Sequence, residues 1–281
     1  MKLGVLAGGG PFPVRVAGAA RDAGHDVFVV CLRDFCDAPE LRAFPHMEER
    51  IGAGGAIMAR LRAEGITHLV LCGKARRLSP LTLWPDAWMA KVLARLGRAV
   101  FGGDDTLLRS FIAILAEEGF EVVSPQSLLP NSTAALGLLA GQRPDAMARA
   151  DISRGIGVLR ALAEHDVGQA VVVQQGLILG IEAVENTDAL LARAGALRRD
   201  GPGGVLVKLA KPHQELRVDA PVIGPVTVAG AQAAGLRGIA IEAGRTILAD
   251  GEALLRGACA AGLFILAIDP EHFQPETGDL P

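Results

Sequence analysis

With 281 residues, half of them apolar, the chain can bury a sizeable core, and its length suits two domains or one large α/β domain. A charged fraction of 21% and a formal net charge of −3 exclude a global basic field for nucleic acid, so the positive residues must act locally. Four cysteines without a C-x-x-C spacing read as the reduced thiols of a cytosolic protein, with Cys31, Cys72 and Cys259 in core surroundings, and no apolar run is long enough to predict a spanning helix.

In chain order, Lys2 to Ala7 reads as a buried strand running into Gly8-Gly9-Gly10-Pro11-Phe12-Pro13, with a helix predicted from Arg15 to Ala23. Strand, glycine loop and helix outline a phosphate cradle, because free N–H groups and the helix dipole favour an anion there. Gly9, Gly10, Pro11 and Phe12 are therefore candidate ligand contacts. Only the first two glycines of the dinucleotide fingerprint are met, since Pro13 stands where a small residue belongs, and a turn without ligand explains the loop equally. A second strand, Asp26 to Leu32, ends near Asp34, where a nicotinamide-binding fold puts its ribose-binding acid. A third, His68 to Cys72, leads into Gly73-Lys74-Ala75-Arg76-Arg77, and a fourth, Ala99 to Gly102, into Gly103-Asp104-Asp105. Gly73, Lys74 and Asp104 are site candidates because ligands of open parallel sheets bind past the carboxyl ends of strands. The alternatives are a solvated turn and an N-cap for the helix predicted from Thr106 to Glu118. Between these strands, Trp84 and Trp88 stand four apart, a spacing that suits an acyl-covering or interfacial patch or an ordinary core. A fifth strand near Glu121 to Val123 is followed by SPQSLLPNST, read as a linker with the domain boundary near residue 130.

The second half predicts a helix from Asp151 to Glu164 and two strands, Gln169 to Gln174 and Leu177 to Val184, joined at Gln175-Gly176 as a hairpin, hence a mixed sheet. The second strand delivers Glu182, Glu185, Asn186, Thr187 and Asp188, able to hold a hard cation or a sugar, while Thr187 could instead cap the helix Ala189 to Arg199. The neighbour of that strand is expected to be Gly204 to Val207, which opens the densest polar stretch of the chain: Lys208, Lys211, His213, Gln214, Glu215, Arg217 and Asp219. Lysine and arginine can neutralise phosphate oxygens and one carboxylate among them can hold a divalent cation or position a water; the alternative is a solvated loop with surface ion pairs. Ile239 to Glu242, Thr246 to Leu248 and Phe264 to Ile268 are further strands, with helices at Thr227 to Ala234 and Gly251 to Ala261. Glu242 is an acid at a strand end or a plain surface turn. Two α/β halves with polar strand ends suggest a cleft site for a phosphorylated ligand. A nicotinamide-dependent oxidoreductase or a non-catalytic carrier of nucleotide-linked lipids would use parts of the same features.

The blocks LAGGGPFP, Gly73-Lys74, GDDTLL, EAVENTDALLARAG, KLAKPHQELRVDAPVIGPVT and IEAG, in this order and over essentially the whole chain, resemble the UDP-2,3-diacylglucosamine pyrophosphatases of the lipid A pathway that are distinct from the metallophosphoesterase type. That resemblance implies an α/β protein with a Rossmann-like parallel-sheet N-terminal domain (1–130) and a mixed α/β C-terminal domain (131–281) carrying the catalytic acid. It implies a Mg²⁺-assisted phosphoanhydride hydrolase that releases UMP and 2,3-diacylglucosamine 1-phosphate. The family's essential acid falls on Asp219, with Asp219, Glu182 and Asp188 as metal candidates and Thr187, Asp188, Lys208, Lys211, Gln214 and Arg217 as substrate contacts. A cytoplasmic homodimer is also implied, and the acyl chains need apolar cover, supplied either by a tunnel between the domains or by peripheral contact with the cytoplasmic face of the inner membrane. The chain has Asn186 where the family usually has glycine, and Glu215 where it has aspartate.

Overall fold

The computed structural model describes residues 1–75, 83–97, 104–129, 132–212 and 214–275, without the side chains of Asp104 and Asp105. Arg76, Arg77, the strand expected at Ala99 to Gly102, and His213 lie outside the described residues. Chain contacts divide the molecule into Met1–Pro130 with Glu215–Asp219, and Asn131–Gln214 with Ala220–Pro281.

The first unit runs β1 (Lys2–Ala7), α1 (Phe12–Asp22), β2 (Asp26–Leu32), β3 (His46–Glu49), α2 (Gly54–Ala63), β4 (His68–Cys72), α3 (Ala87–Leu96), α4 (Asp104–Glu117), β5 (Glu121–Val122) and α5 (Pro125–Leu128). Its strands pair in parallel in the order β3-β2-β1-β4-β5, so the winding reverses between β1 and β4. Continuous apolar runs form β1 and β2 because both faces are covered. Leu3, Val5, Val29 and Cys31 pack with Val16, Ala17 and Ala20 of α1. On the opposite face Leu6, Phe28 and Val30 meet Ile57 and Leu61 of α2 and Leu115 of α4. Helix α1 starts three residues before the sequence-based start, because Pro13 sits in the first turn, where a missing N–H is harmless and its φ is preset. The expected linker contains α5, whose Ser124 hydroxyl accepts the N–H of Gln126. The two tryptophans do not share a helix face, since α3 begins only at Ala87, capped by Asp86. Trp84 is 74% exposed, whereas Trp88 packs on Gly54 and donates its indole N–H to Glu118 at 2.9 Å.

The second unit contains β6 (Gly137–Ala140), α6 (Ala146–Ala163), β7 (Ala170–Gln174), β8 (Leu177–Ile181), α7 (Thr187–Ala196) and β9 (Val205–Lys208). After α8 (Leu216–Asp219), which belongs to the first unit, it continues with β10 (Val222–Ile223), α9 (Pro225–Ala233), β11 (Gly238–Glu242), β12 (Ile247–Leu248), α10 (Gly251–Ala260) and β13 (Phe264–Ile268). The six-stranded sheet has the order β6-β13-β11-β9-β7-β8, with β13, β11 and β9 parallel and β6, β7 and β8 in antiparallel pairings. Gln175 and Gly176 both have positive φ, 51° and 77°, which gives the turn the handedness that matches strand twist in a two-residue hairpin. One expectation fails here: β7, not β8, lies beside β9, so the strand leading to Glu182 is separated from the Lys208 strand by one position. Cys259 is exposed, not core, because it falls on the outer face of α10.

Asp151 of α6 is 1% exposed and accepts the N–H groups of Gln175 (3.0 Å) and Gly176 (2.7 Å), so a buried carboxylate clamps the hairpin turn to the helix. Asp151→Ala removes two charge-assisted bonds and should lower unfolding free energy by about 2–3 kcal/mol, read by urea denaturation at constant m. A loss under about 0.5 kcal/mol would mean that solvent replaces the clamp.

Candidate functional site

Of three groups of polar residues, two sit at strand ends and one on the short helix α8. In the first unit, the loops after β1 and β4 touch backbone to backbone: Gly9 donates to the Lys74 carbonyl (2.8 Å), Lys74 donates back to Gly9 (2.7 Å), and Gly8 donates to Cys72 (2.8 Å). A Cβ on Gly8 would stand 2.6 Å from the Lys74 oxygen, and one on Gly73, whose φ is +98°, 2.7 Å from the Pro13 ring. These glycines are required by close approach. Gly10, at φ +84°, donates to Asp37 Oδ1 at 2.7 Å. The amides of Gly8, Gly9 and Gly10 are thus all bonded within the protein, and Pro11 and Pro13 carry none. The amides left to an anion here are those of the first helical turn, Phe12 and Val14, with the exposed Lys74 beside them. Asp34 accepts the N–H of Ile51, so Asp37, not Asp34, is the acid tied to the glycine loop.

The second group is the turn bearing Asp219. Helix α8 packs against β4, and Val218 joins the apolar layer of Leu6, Phe28 and Leu69. Asp219 and Val218 both donate their amides to the Glu215 carbonyl. Arg217 forms a forked pair with Glu215 (2.8 and 2.7 Å), and that guanidinium, with Arg109 contributing less, holds the Glu215 carboxyl below the usual carboxylate range.

The third group lies along one edge of the second unit's sheet, where β8, β9 and β11 end and antiparallel β7 begins. Lys208, 6% exposed, donates to the Thr187 hydroxyl at 2.7 Å, and that hydroxyl donates to Glu182 Oε1 at 2.6 Å. Glu182 Oε2 accepts the Gln169 N–H (3.2 Å); the Gln169 side-chain oxygen accepts from Gln214, whose own oxygen accepts the Lys211 N–H (2.9 Å). The Lys211 ammonium pairs with Asp166. Glu242, also buried, accepts from the Ala210 N–H and from Arg245. Thr187 is therefore not the cap of α7. Asn186 caps it, accepting from the amides of Asp188 and Ala189 at φ +77°, a backbone that favours glycine and that asparagine tolerates better than most residues.

Family models for the LpxI N-terminal domain and the LpxI C-terminal domain match residues 2–132 and 135–266. The chain belongs to the LpxI family. It is 41% identical over 277 residues to the UDP-2,3-diacylglucosamine pyrophosphatase LpxI of Caulobacter vibrioides, covering 96% of this chain and 99% of that protein. Among solved structures, the Thermus thermophilus UDP-glucose 4-epimerase in complex with NAD aligns over 100% of this chain and 96% of its own, at a TM-score of 0.32 and 14% identity.

In this LpxI-family chain the sequence-predicted residues separate by unit. Gly9, Gly10, Pro11, Phe12, Gly73, Lys74, Arg217 and Asp219 belong to the first, as does Asp104, which opens α4. Glu182, Thr187, Asp188, Lys208, Lys211 and Gln214 belong to the second. Among the described residues no three or more His, Cys, Asp or Glu side chains gather in a metal-binding group. Glu182 fits a metal poorly, since each oxygen already accepts a hydrogen bond inside the protein. Asp188 is exposed on the first turn of α7. A single carboxylate such as Asp219 or Asp188 is compatible with Mg²⁺, which takes one or two carboxylates and completes its shell with phosphate oxygens and water. Gln169, Asp166 and Arg245 join these networks without a motif to announce them. Gln169 is a polar residue at the start of an apolar strand, and antiparallel pairing puts its neighbour Ala170 opposite Lys208 and lets the Gln169 carbonyl accept the Leu209 N–H.

Thr187→Val keeps the volume and removes the hydroxyl that links Lys208 to Glu182. Stability should fall by about 2–3 kcal/mol, while Thr187→Ser should retain most of it. In the folded protein the Glu215 pKa is depressed, so its contribution to stability is present above the unfolded carboxylate value and is lost as pH falls through the folded one. NMR titration of Glu215 should give a midpoint below about 4.3 that rises towards that value in Arg217→Ala.

Proposed function

We infer that this chain hydrolyses the pyrophosphate of UDP-2,3-diacylglucosamine to UMP and 2,3-diacylglucosamine 1-phosphate, a step of lipid A biosynthesis. The observation that carries this reading is the 41% identity to the Caulobacter pyrophosphatase over nearly the full length of both chains, with both family domains matched. Water adds to the phosphorus nearer the sugar, the bridging P–O bond breaks, and UMP leaves with the electron pair. Asp219 orients that water or accepts its proton, supported by its placement on a short helix held against β4, next to the switch point where such folds bind ligands. Mg²⁺ at Asp219 would neutralise phosphate charge and acidify a bound water. Lys74, exposed beside the glycine loop, offers positive charge to the diphosphate.

Lys208 and Lys211, bonded to Thr187 and paired with Asp166, also help order the strand-end network that carries Gln214. We propose in addition a homodimer and peripheral contact with the cytoplasmic face of the inner membrane, where the two acyl chains find apolar cover. No described helix is long and apolar enough to cross a membrane.

Asp219→Asn keeps shape and removes the charge. UMP release from UDP-2,3-diacylglucosamine with Mg²⁺ should fall by roughly 10³-fold with an unchanged melting temperature; near-full turnover would take Asp219 out of the mechanism.

A further inference from the structure

Glu242, 7% exposed, stands at the carboxyl end of β11 in the block Ile241-Glu242-Ala243-Gly244 and has no role in the hydrolysis as described so far. We propose that Glu242 and Arg245 are positioning residues for substrate binding, which together hold the backbone of the turn that carries Lys211 and Gln214. The proposal rests on the pyrophosphatase reading above, with Lys211 and Gln214 as substrate contacts.

The register of the sheet gives the first argument. Strands β9 and β11 run parallel with Lys208 opposite Ile241, and their ladder stops there. Two residues further on, the Ala210 N–H lies beyond the ladder, and the Glu242 carboxylate accepts it at 2.9 Å. The same carboxylate accepts Arg245 Nη1 at 3.2 Å, and the other arm of that guanidinium, Nη2, donates to the Lys211 carbonyl at 3.3 Å. That carbonyl also accepts the Gln214 N–H (3.0 Å), while the Gln214 side-chain oxygen accepts the Lys211 N–H (2.9 Å). Carboxylate and guanidinium thus grip the N–H of Ala210 and the carbonyl of Lys211, and with the latter the bond that closes the turn on Gln214. Local sequence makes the reach possible. Gly244 takes φ +71°, and Thr246 donates its N–H to the Glu242 carbonyl at 3.2 Å, so the chain after β11 folds back and returns Arg245 beside Glu242.

Stability alone does not account for the pair. A buried ion pair costs so much desolvation that apolar residues of similar volume often serve packing as well or better. Apolar side chains there could neither accept the Ala210 N–H nor donate to the Lys211 carbonyl, so what the pair supplies is placement. A cation and an amide held before the ligand arrives lose less freedom on binding, which favours the capture of a charged substrate. The acid is anchored separately, because Asp219 lies on α8, which is held to β4 with Val218 in the apolar layer. Loosening the Lys211 turn therefore falls on binding and not on the chemical step.

Steady-state hydrolysis of UDP-2,3-diacylglucosamine by the full chain tests this. Arg245→Ala removes the bridge at a partly exposed position, and Glu242→Gln keeps the shape and an acceptor for Ala210 while weakening the arginine pair. Each should raise KM by about tenfold with kcat within about twofold. Because the two side chains act as one unit, the double variant should stay within about twofold of the worse single one. Arg256→Ala, which breaks an exposed pair with Glu252 on α10, is the control and should leave both constants unchanged. A second readout needs no turnover: exchange of the Gln214 amide, whose acceptor Arg245 holds, should quicken by about tenfold in Arg245→Ala. Circular-dichroism melts report folding, and if Glu242→Gln fails to fold, the Arg245 variant decides. An unchanged KM in Arg245→Ala, a fall in kcat at constant KM, unchanged exchange at Gln214, or multiplied effects in the double variant overturns the assignment. Absence of UMP release by the wild-type protein would instead defeat the pyrophosphatase reading, whereas an unchanged KM beside normal wild-type turnover defeats the positioning role alone.

Discussion

A lysine ammonium at the end of a central strand has to be satisfied before the second unit can close. Lys208 is flanked by Ala170 on β7 and Ile241 on β11, in the middle of a sheet covered on both sides. An unpaired charge there would cost several kcal/mol. The Thr187 hydroxyl accepts one of the ammonium's hydrogen bonds and donates to Glu182, which in turn orders Gln169 and, through it, Gln214. The position of Thr187 is fixed by the start of α7, which depends on an asparagine cap with positive φ. One buried cation therefore constrains a helix start, two strand ends and the approach to the Lys211 turn.

The first unit is governed by a different constraint, the contact of two loops at backbone distance. Glycines at 8, 9 and 73 let the chain after β1 and the chain after β4 exchange hydrogen bonds with no side chain between them. The consequence is chemical as well as steric. A dinucleotide fingerprint works by offering glycine amides to a pyrophosphate, and here those amides serve the neighbouring loop and Asp37. The glycine-rich stretch is a structural joint between strand ends.

Much of this is legible in the letters. Apolar runs such as Val27 to Leu32 and Phe264 to Ile268 announce buried strands, and Gln175-Gly176 announces the hairpin. The edge strand His46–Glu49 is not legible, since a strand with polar residues on both faces has no period-2 signal. Helix α2 escapes detection because glycine and alanine at its start carry no cap signature. For the site, the acids and cations are readable as types but not as partners. Lys211 with Asp166 and Gln214 with Gln169 lie 45 residues apart in sequence, and only the antiparallel placement of β7 beside β9 brings them together. Sequence proximity suggests that Lys208, Lys211, Arg217 and Asp219 form one cluster. By chain contacts the first two belong to one unit and the last two to the other.

That division follows from the local sequence around the acid. Val218 is the apolar residue of the short Leu-Arg-Val-Asp helix that joins the layer of Leu6 and Leu69, so burying it turns the segment towards β4. Pro221 then pushes Ala220 out of helical conformation, which ends α8 at Asp219 and leaves the carboxylate on the last residue of the helix. The Arg217 fork is closed on Glu215, whose extra methylene relative to aspartate lets both guanidinium bonds form within two residues. The acid thus sits on a helix anchored by one apolar contact and stopped by one proline, beside an arginine whose planar face of donors is already engaged. A carboxylate placed at a helix end by backbone and packing in this way is fixed in position before any metal, water or phosphate arrives, which is the condition its proposed role in hydrolysis requires.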